Sequence, residues 1–193
     1  MPKPLRADAA RNRDKLLDAA TRVFGERGLD APLEEIARRA GVSIGTLYNH
    51  FPTREALIDA IFPARVAVLE RIGAQALADD DAWRGFTRFV EGVFALQAED
   101  FGLNDALSGR FSTAAGLAEA CRGGLEIARR LIARAKDSGQ LRADFEERDF
   151  ITLIWAMSKV IRESADEAPL AWRRCLAFFL DGLRAEAARP IPS

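Results

Sequence analysis

Histidine, cysteine, tyrosine and methionine are scarce: the 193 residues hold one His, two Cys, one Tyr and two Met. Cys121 and Cys175 are too few for a disulfide framework, and His50 alone cannot complete a thiolate zinc site. Reduced thiols and no metal or cofactor are therefore expected. No stretch of about twenty apolar residues occurs. The opening Met1-Pro-Lys-Pro-Leu-Arg6 lacks the apolar block of a secretion signal, which points to a cytoplasmic protein with no membrane partner. Neither sign of charge dominates: 28 Lys and Arg stand against 29 Asp and Glu, which argues against indiscriminate coating of nucleic acid. Runs of alternating polarity long enough for a sheet are also missing.

What is present is apolar material for a core, 49% of the chain, recurring three and four residues apart. The spacing predicts an all-α protein. A first helix is expected from about Ala9 to Glu26, closed by Gly28. Asp30 is placed to cap a second, with Pro32 in its first turn. Gly41 breaks that helix, and Ser43 caps a third running through Phe51. Pro52-Thr53 starts a fourth near Arg54, which should kink or break at Pro63. Further helices are expected around 82–99, within 100–112, over 112–136 with an interruption at Gly123-Gly124, and over 147–163 and 169–187. The division predicted is a helix-turn-helix head over residues 1–53 and a helical body over residues 54–193.

The informative segment runs from Leu33 to Phe51, a short helix, a glycine turn and a second short helix, with the proportions of a DNA-reading helix-turn-helix. Ala37 is small where the helices cross, Gly41 permits positive φ, and Ile36, Val42 and Leu47 lock the pair. The outer face of the second helix would then carry Ser43, Thr46, Tyr48, Asn49 and His50, donors able to meet phosphates and base edges. A helical hairpin in an ordinary bundle is the alternative for any helix–Gly–helix. His50, with no second histidine and no Cys beside it, suits a phosphate or helix-end hydrogen bond better than a metal.

From about Arg13 to Ala60 the chain resembles the tetracycline-repressor (TetR) family. The resemblance lies in Leu17-Asp-Ala-Ala20, Val23-Phe24 and Gly28, and above all in Ile36-Ala-Arg-Arg-Ala-Gly-Val-Ser-Ile-Gly-Thr-Leu-Tyr-Asn-His-Phe51. It implies a three-helix DNA-binding head, a linking fourth helix, a divergent effector-binding body, a homodimer on a double-stranded operator, and repression relieved by a small molecule. By position, Ser43, Gly45, Thr46, Tyr48, Asn49 and His50 match the recognition segment, and Arg54 matches a basic residue that holds a phosphate. Lysine is commoner there; arginine keeps the charge. Ala31-Pro32-Leu33 and Ile44 depart from the polar residues the family often carries.

Beyond Ala60 the residues carry the reading. Phe62, Trp83, Phe86, Phe94, Phe101, Phe111 and Trp155 are candidates to line a pocket for an apolar or aromatic effector, against the alternative that they fill a core. Phe150, Ile154 and Ile161 form one stripe near the end of the chain. Trp172, Leu176, Phe179 and Leu183 form another, and together they suit a symmetric four-helix interface between two copies. No nucleophile–base pair appears among the acidic residues, so no catalytic residue is assigned. An activator of the same fold, a helical enzyme and an adaptor are the alternatives to a repressor.

Overall fold

The computed structural model describes residues 4–109 and 115–190, and these residues form an all-helical protein. The helices are α1 (Pro4–Arg27), α2 (Leu33–Ala40), α3 (Ile44–His50), α4 (Arg54–Leu77), α5 (Ala82–Glu99), α6 (Phe101–Leu107), α7 (Ala115–Asp137), α8 (Glu147–Ser164) and α9 (Ala171–Leu183). A 3-10 turn follows at Ala185–Ala187, and Leu141 and Arg184 form an isolated antiparallel bridge. Phe111 lies outside the described residues.

The helices divide into two compact units. The first holds the chain through Arg65 together with Asp100–Glu119; the second holds Val66–Glu99 and the chain from Ala120 on. The packing boundary thus falls later than residue 53, and it draws α6 into the head. The reason lies in the side chains of α4 and α6. Leu57, Ile58, Ile61 and Phe62 of α4 are buried with Leu16, Ala20, Val23 and Phe24 of α1 in the same unit. Two polar links fasten α6 and its cap within that unit, and a third ties α4 to α1. The Asp105 carboxylate accepts the Leu29 N–H at 2.9 Å, Arg65 Nη1 donates to Asp100 at 3.0 Å, and Arg65 Nη2 donates to the Thr21 carbonyl. Gly102 is needed for the approach, because a Cβ there would lie 3.0 Å from the Phe24 carbonyl oxygen.

In the second unit, Phe86 packs on Trp83 and Phe145 at ring separations of 5.6 and 6.1 Å, and Phe89 packs on Phe150 at 6.1 Å. Such tilted and edge-on contacts add to the area the rings bury. The turn from α4 to α5 is closed by charge. Arg84 and Arg88 hold the Asp79 carboxylate, and Arg134 donates to the carbonyls of Leu77 and Asp79 at 2.6 and 2.8 Å.

Several elements differ from the sequence expectation. Helix α1 begins at Pro4. Asp30 does not cap α2; extended Pro32 occupies that position and no side chain caps it. The backbone of α4 stays helical across Pro63, since one missing donor leaves the rest of the ladder in place. Helix α7 likewise runs unbroken through Gly123-Gly124. Helix α9 stops at Leu183 because Arg142 N–H bonds the Leu183 carbonyl at 3.0 Å and Ala185 N–H bonds the Gln140 carbonyl at 2.9 Å, pulling the chain out of the helix.

Candidate nucleic-acid interface

Helix α2 buries Leu33, Ile36, Ala37 and Ala40 and ends at Gly41, whose φ of 70° is open to glycine at no steric cost. Gly41 N–H meets the Arg38 carbonyl at 3.2 Å and Val42 N–H meets the Ala37 carbonyl at 3.0 Å, the paired bonds of a Schellman turn. The chain then enters α3 through Ser43, whose Oγ accepts the Thr46 N–H at 3.1 Å. Leu47 is fully buried and fixes the rotation of α3. Phe51, also buried, leaves the helical region and ends it. Thr53 Oγ1 accepts the Ala56 N–H at 3.1 Å and starts α4.

With Leu47 inward, the rest of α3 points out. Ser43, Gly45, Tyr48 and Asn49 are exposed, and Thr46 and His50 are half-buried, so the six expected residues share one short helix and its cap. Tyr48 is 47% exposed and presents its ring and hydroxyl to solvent. Gly45 has no structural reason within the described residues. Its φ is not positive, and a Cβ there would meet nothing nearer than Ser43 Oγ at 3.8 Å.

Arg54 has a contact within the head that the sequence did not announce. Its Nη1 donates to the carbonyls of Leu29 and Ala31 at 2.6 and 2.7 Å, so that nitrogen fastens the α1–α2 connection to the start of α4. Other cations of the head are also engaged. Glu35 binds Arg27 and Arg39 and lies 3.9 Å from Arg38, and Glu26 takes Arg39 at 2.6 Å. Desolvation would raise the pKa of Glu35, but the charges and hydrogen bonds of Arg27 and Arg39 outweigh it and hold the carboxyl below its ordinary range. Arg11 pairs with Asp8. The sequence reading missed Arg13, whose guanidinium stands 5.4 Å over the Phe51 ring, and the Asp105–Leu29 link; both join residues far apart in the chain.

The pocket candidates fall in both units. Phe62 is buried in the first unit and Phe101 half-buried there, whereas Trp83, Phe86 and Phe94 belong to the core of the second. Trp155 is 54% exposed on α8 and lines no core. The interface candidates differ in burial. Phe150, Ile154, Ile161, Trp172 and Leu176 are buried within their own unit, where α8 packs on α5 and α9. Of the expected set only Phe179, 43% exposed, and half-buried Leu183 face outward. Among the described residues, the large apolar side chains left exposed besides Tyr48 are Trp155, Leu170, Phe178 and Phe179, and Phe179 lines a groove of about 350 Å³ with Phe145, Leu153 and Ala156 among others. Both cysteines are free, and burial pushes the Cys121 thiol up, against the opposing charge of Arg122. Among the described residues no group of three His, Cys, Asp or Glu is placed to hold a metal, and no helix is long and apolar enough to cross a membrane.

A capped three-turn head whose short second helix is locked from beneath and polar outside defines a helix-turn-helix DNA-binding regulator. Comparison with known proteins gives the same class and sharpens it. Residues 16–61 match the family described as bacterial regulatory proteins, tetR family, and residues 81–185 match the transcriptional regulator SbtR-like C-terminal domain. The chain belongs to the TetR family of DNA-binding transcriptional regulators. It is 34% identical to the TetR transcriptional regulator SCO0520 of Streptomyces coelicolor, whose crystal structure it matches over 89% of this chain and 98% of that one with a TM-score of 0.58. It is 31% identical over 103 residues to the uncharacterized HTH-type transcriptional regulator TtgW of Pseudomonas putida, covering 52% of this chain and 77% of that one. The HTH-type transcriptional regulator SrpR of Pseudomonas putida is 31% identical over the same length, which is about half of it, 48%. These relatives are transcriptional regulators, not enzymes.

Proposed function

We propose that the protein is a homodimeric repressor that holds a palindromic operator with two copies of α3 and releases it when a small apolar or aromatic effector binds the helical body. DNA contact is assigned to residues 1–53 with the start of α4, and effector binding and dimerisation to the remainder. The observation that carries the reading is the outer face of α3. Exposed Ser43, Tyr48 and Asn49 offer hydrogen-bond groups, and Gly45 leaves a gap that serves nothing in the free protein but allows a phosphate or base edge to come close.

Dimerisation is supported by the uncovered rings of Trp155, Phe178 and Phe179 on α8 and α9, because a second copy presenting the same face would remove them from water. Two recognition helices on one duplex face must then lie about 34 Å apart or a multiple of it. Effector binding is supported by the largely apolar interior of the second unit, in which Gln97 of α5 and Ser158 of α8 are buried polar residues. Helix α4 passes without a break from the first unit into the second, so a ligand that favours one arrangement of the body changes affinity for the operator only by its differential binding.

Selection of bound sequences from random DNA by the purified chain tests the reading. A palindromic consensus with half-sites one helical turn or a multiple apart is expected, and a single unpaired half-site would sink the dimer. Apolar compounds that raise Tm should weaken operator binding; if every tight ligand leaves it unchanged, the regulatory half is wrong.

A further inference from the structure

We propose that Arg13, on α1, binds a DNA phosphate beside the end of α3, held ready for it by the ring of Phe51. The inference rests on the reading that α3 enters the operator, and it adds a residue outside the helix-turn-helix.

Most cations of the head are already engaged. Arg11 pairs with Asp8, Arg39 with Glu26 and Glu35, Arg27 with Glu35, and Arg65 with Asp100. Arg54 spends Nη1 on two backbone carbonyls. Arg13, Lys15 and Arg22 are exposed and, among the described residues, have no carboxylate partner. Only Arg13 of these three stands over a ring.

That ring is the first residue beyond α3. Phe51 is buried, and its ring is 6.4 Å from the ring of His50, the last residue of α3. Arg13 and His50 therefore flank one aromatic ring at the point where the recognition helix ends. A guanidinium drawn to a ring by cation–π attraction spends no N–H donor on a carboxylate and keeps its donors for an anion. Phosphate binding by residues beside the recognition helix is what fixes its register on the duplex. The competing account is that Arg13 only covers Phe51, in which case removing its charge changes stability and leaves the salt dependence of DNA binding alone.

Titration of the chain against its selected operator at several salt concentrations separates the two. Arg13→Met keeps a long stem over Phe51 and removes the charge; Arg13→Lys keeps the charge. Arg22→Gln removes the same charge about two and a half turns along α1, on the opposite side of the helix. Arg13→Met should flatten the slope of log affinity against log salt by about 0.9 per protomer, which is about 3.5-fold less affinity lost per protomer between 50 and 200 mM. Arg13→Lys should restore most of the slope, and Arg22→Gln should leave it at the wild-type value. Circular dichroism melts of each variant establish that the folded chain is being compared. A wild-type slope in folded Arg13→Met overturns the proposal while leaving the operator reading intact, and equal flattening by Arg22→Gln overturns it in favour of a diffuse field. A wild-type chain that selects no DNA sequence removes both.

Discussion

The carboxylate of Asp105 accepts the backbone N–H of Leu29 at 2.9 Å, a buried bond between residues 76 apart in the chain. The carbonyl of the same Leu29 accepts Arg54 Nη1 at 2.6 Å. One residue at the α1–α2 connection is thus held through its N–H by α6 and through its carbonyl by the start of α4. Asp105→Ala leaves a buried N–H without its acceptor, at a cost of about 1–3 kcal/mol. Urea unfolding should show that loss, and Asp105→Asn, which keeps an acceptor oxygen, should recover part of it. An Ala variant as stable as the wild type would mean the bond contributes nothing.

Arg54 provides the second test. Its Nη1 serves two carbonyls, and hydrogen bonds from a charged donor are worth about 1.5–3 kcal/mol. Arg54→Met should destabilise the head by about that amount and speed amide exchange at Ala31 and Leu33. Arg54→Lys should fall between, since an ammonium is a point donor without the guanidinium fork. If Arg54→Met loses operator affinity with no change in stability or exchange, the phosphate role suggested by the family resemblance outweighs the structural one.

The head was legible in sequence because its signals are local. Gly41, Ser43 and Leu47 each act within a turn of their own position, and the turn, the cap and the buried anchor appear where the spacing put them. The body was less legible because an apolar stripe does not say what covers it. Phe150 and Ile154 read as interface residues, yet α5 and α9 of the same chain cover α8 on that side, and the uncovered ring is Trp155, one residue on. The carbonyl contacts of Arg54 went unseen for a related reason. Its carbonyl partners lie 25 and 23 residues away, and no local pattern announces them.

Acid should expose the role of Asp79. Hydrogen bonding from Arg84, against the opposing effect of desolvation, lowers its pKa to about 2, whereas an unfolded Asp titrates near ~3.9. A folded pKa below the unfolded one means that the contribution to stability is complete above about pH 4 and disappears as pH falls towards 2. The stability difference between wild type and Asp79→Asn should therefore be constant from pH 7 to 5 and shrink between pH 4 and 2. A difference independent of pH across that window would count against the arginine cage.

Gly45→Ala separates fold from function. Alanine is favoured over glycine in a helix by up to about 1 kcal/mol, and the nearest atom to the new Cβ would be Ser43 Oγ at 3.8 Å. The variant should melt at or above the wild-type temperature and bind the selected operator more weakly. Unchanged affinity would show that the gap on α3 is not where DNA approaches.

The outer and inner faces of α8 and α9 should respond to mutation in opposite ways. Trp155 and Phe178 are 54% and 64% exposed, so a charge at either position meets water in the monomer and is buried only if a second copy covers it. Trp155→Glu and Phe178→Glu should shift the sedimenting species from dimer to monomer with the fold intact by circular dichroism. Phe150 is fully buried within its unit, and Phe150→Ala should cost about 3–5 kcal/mol whatever the oligomeric state. Because two half-sites must be held together for tight operator binding, the glutamate variants should lose affinity for the paired site far more than for a single half-site. Dimers that persist in both glutamate variants would place the interface on another face of the body.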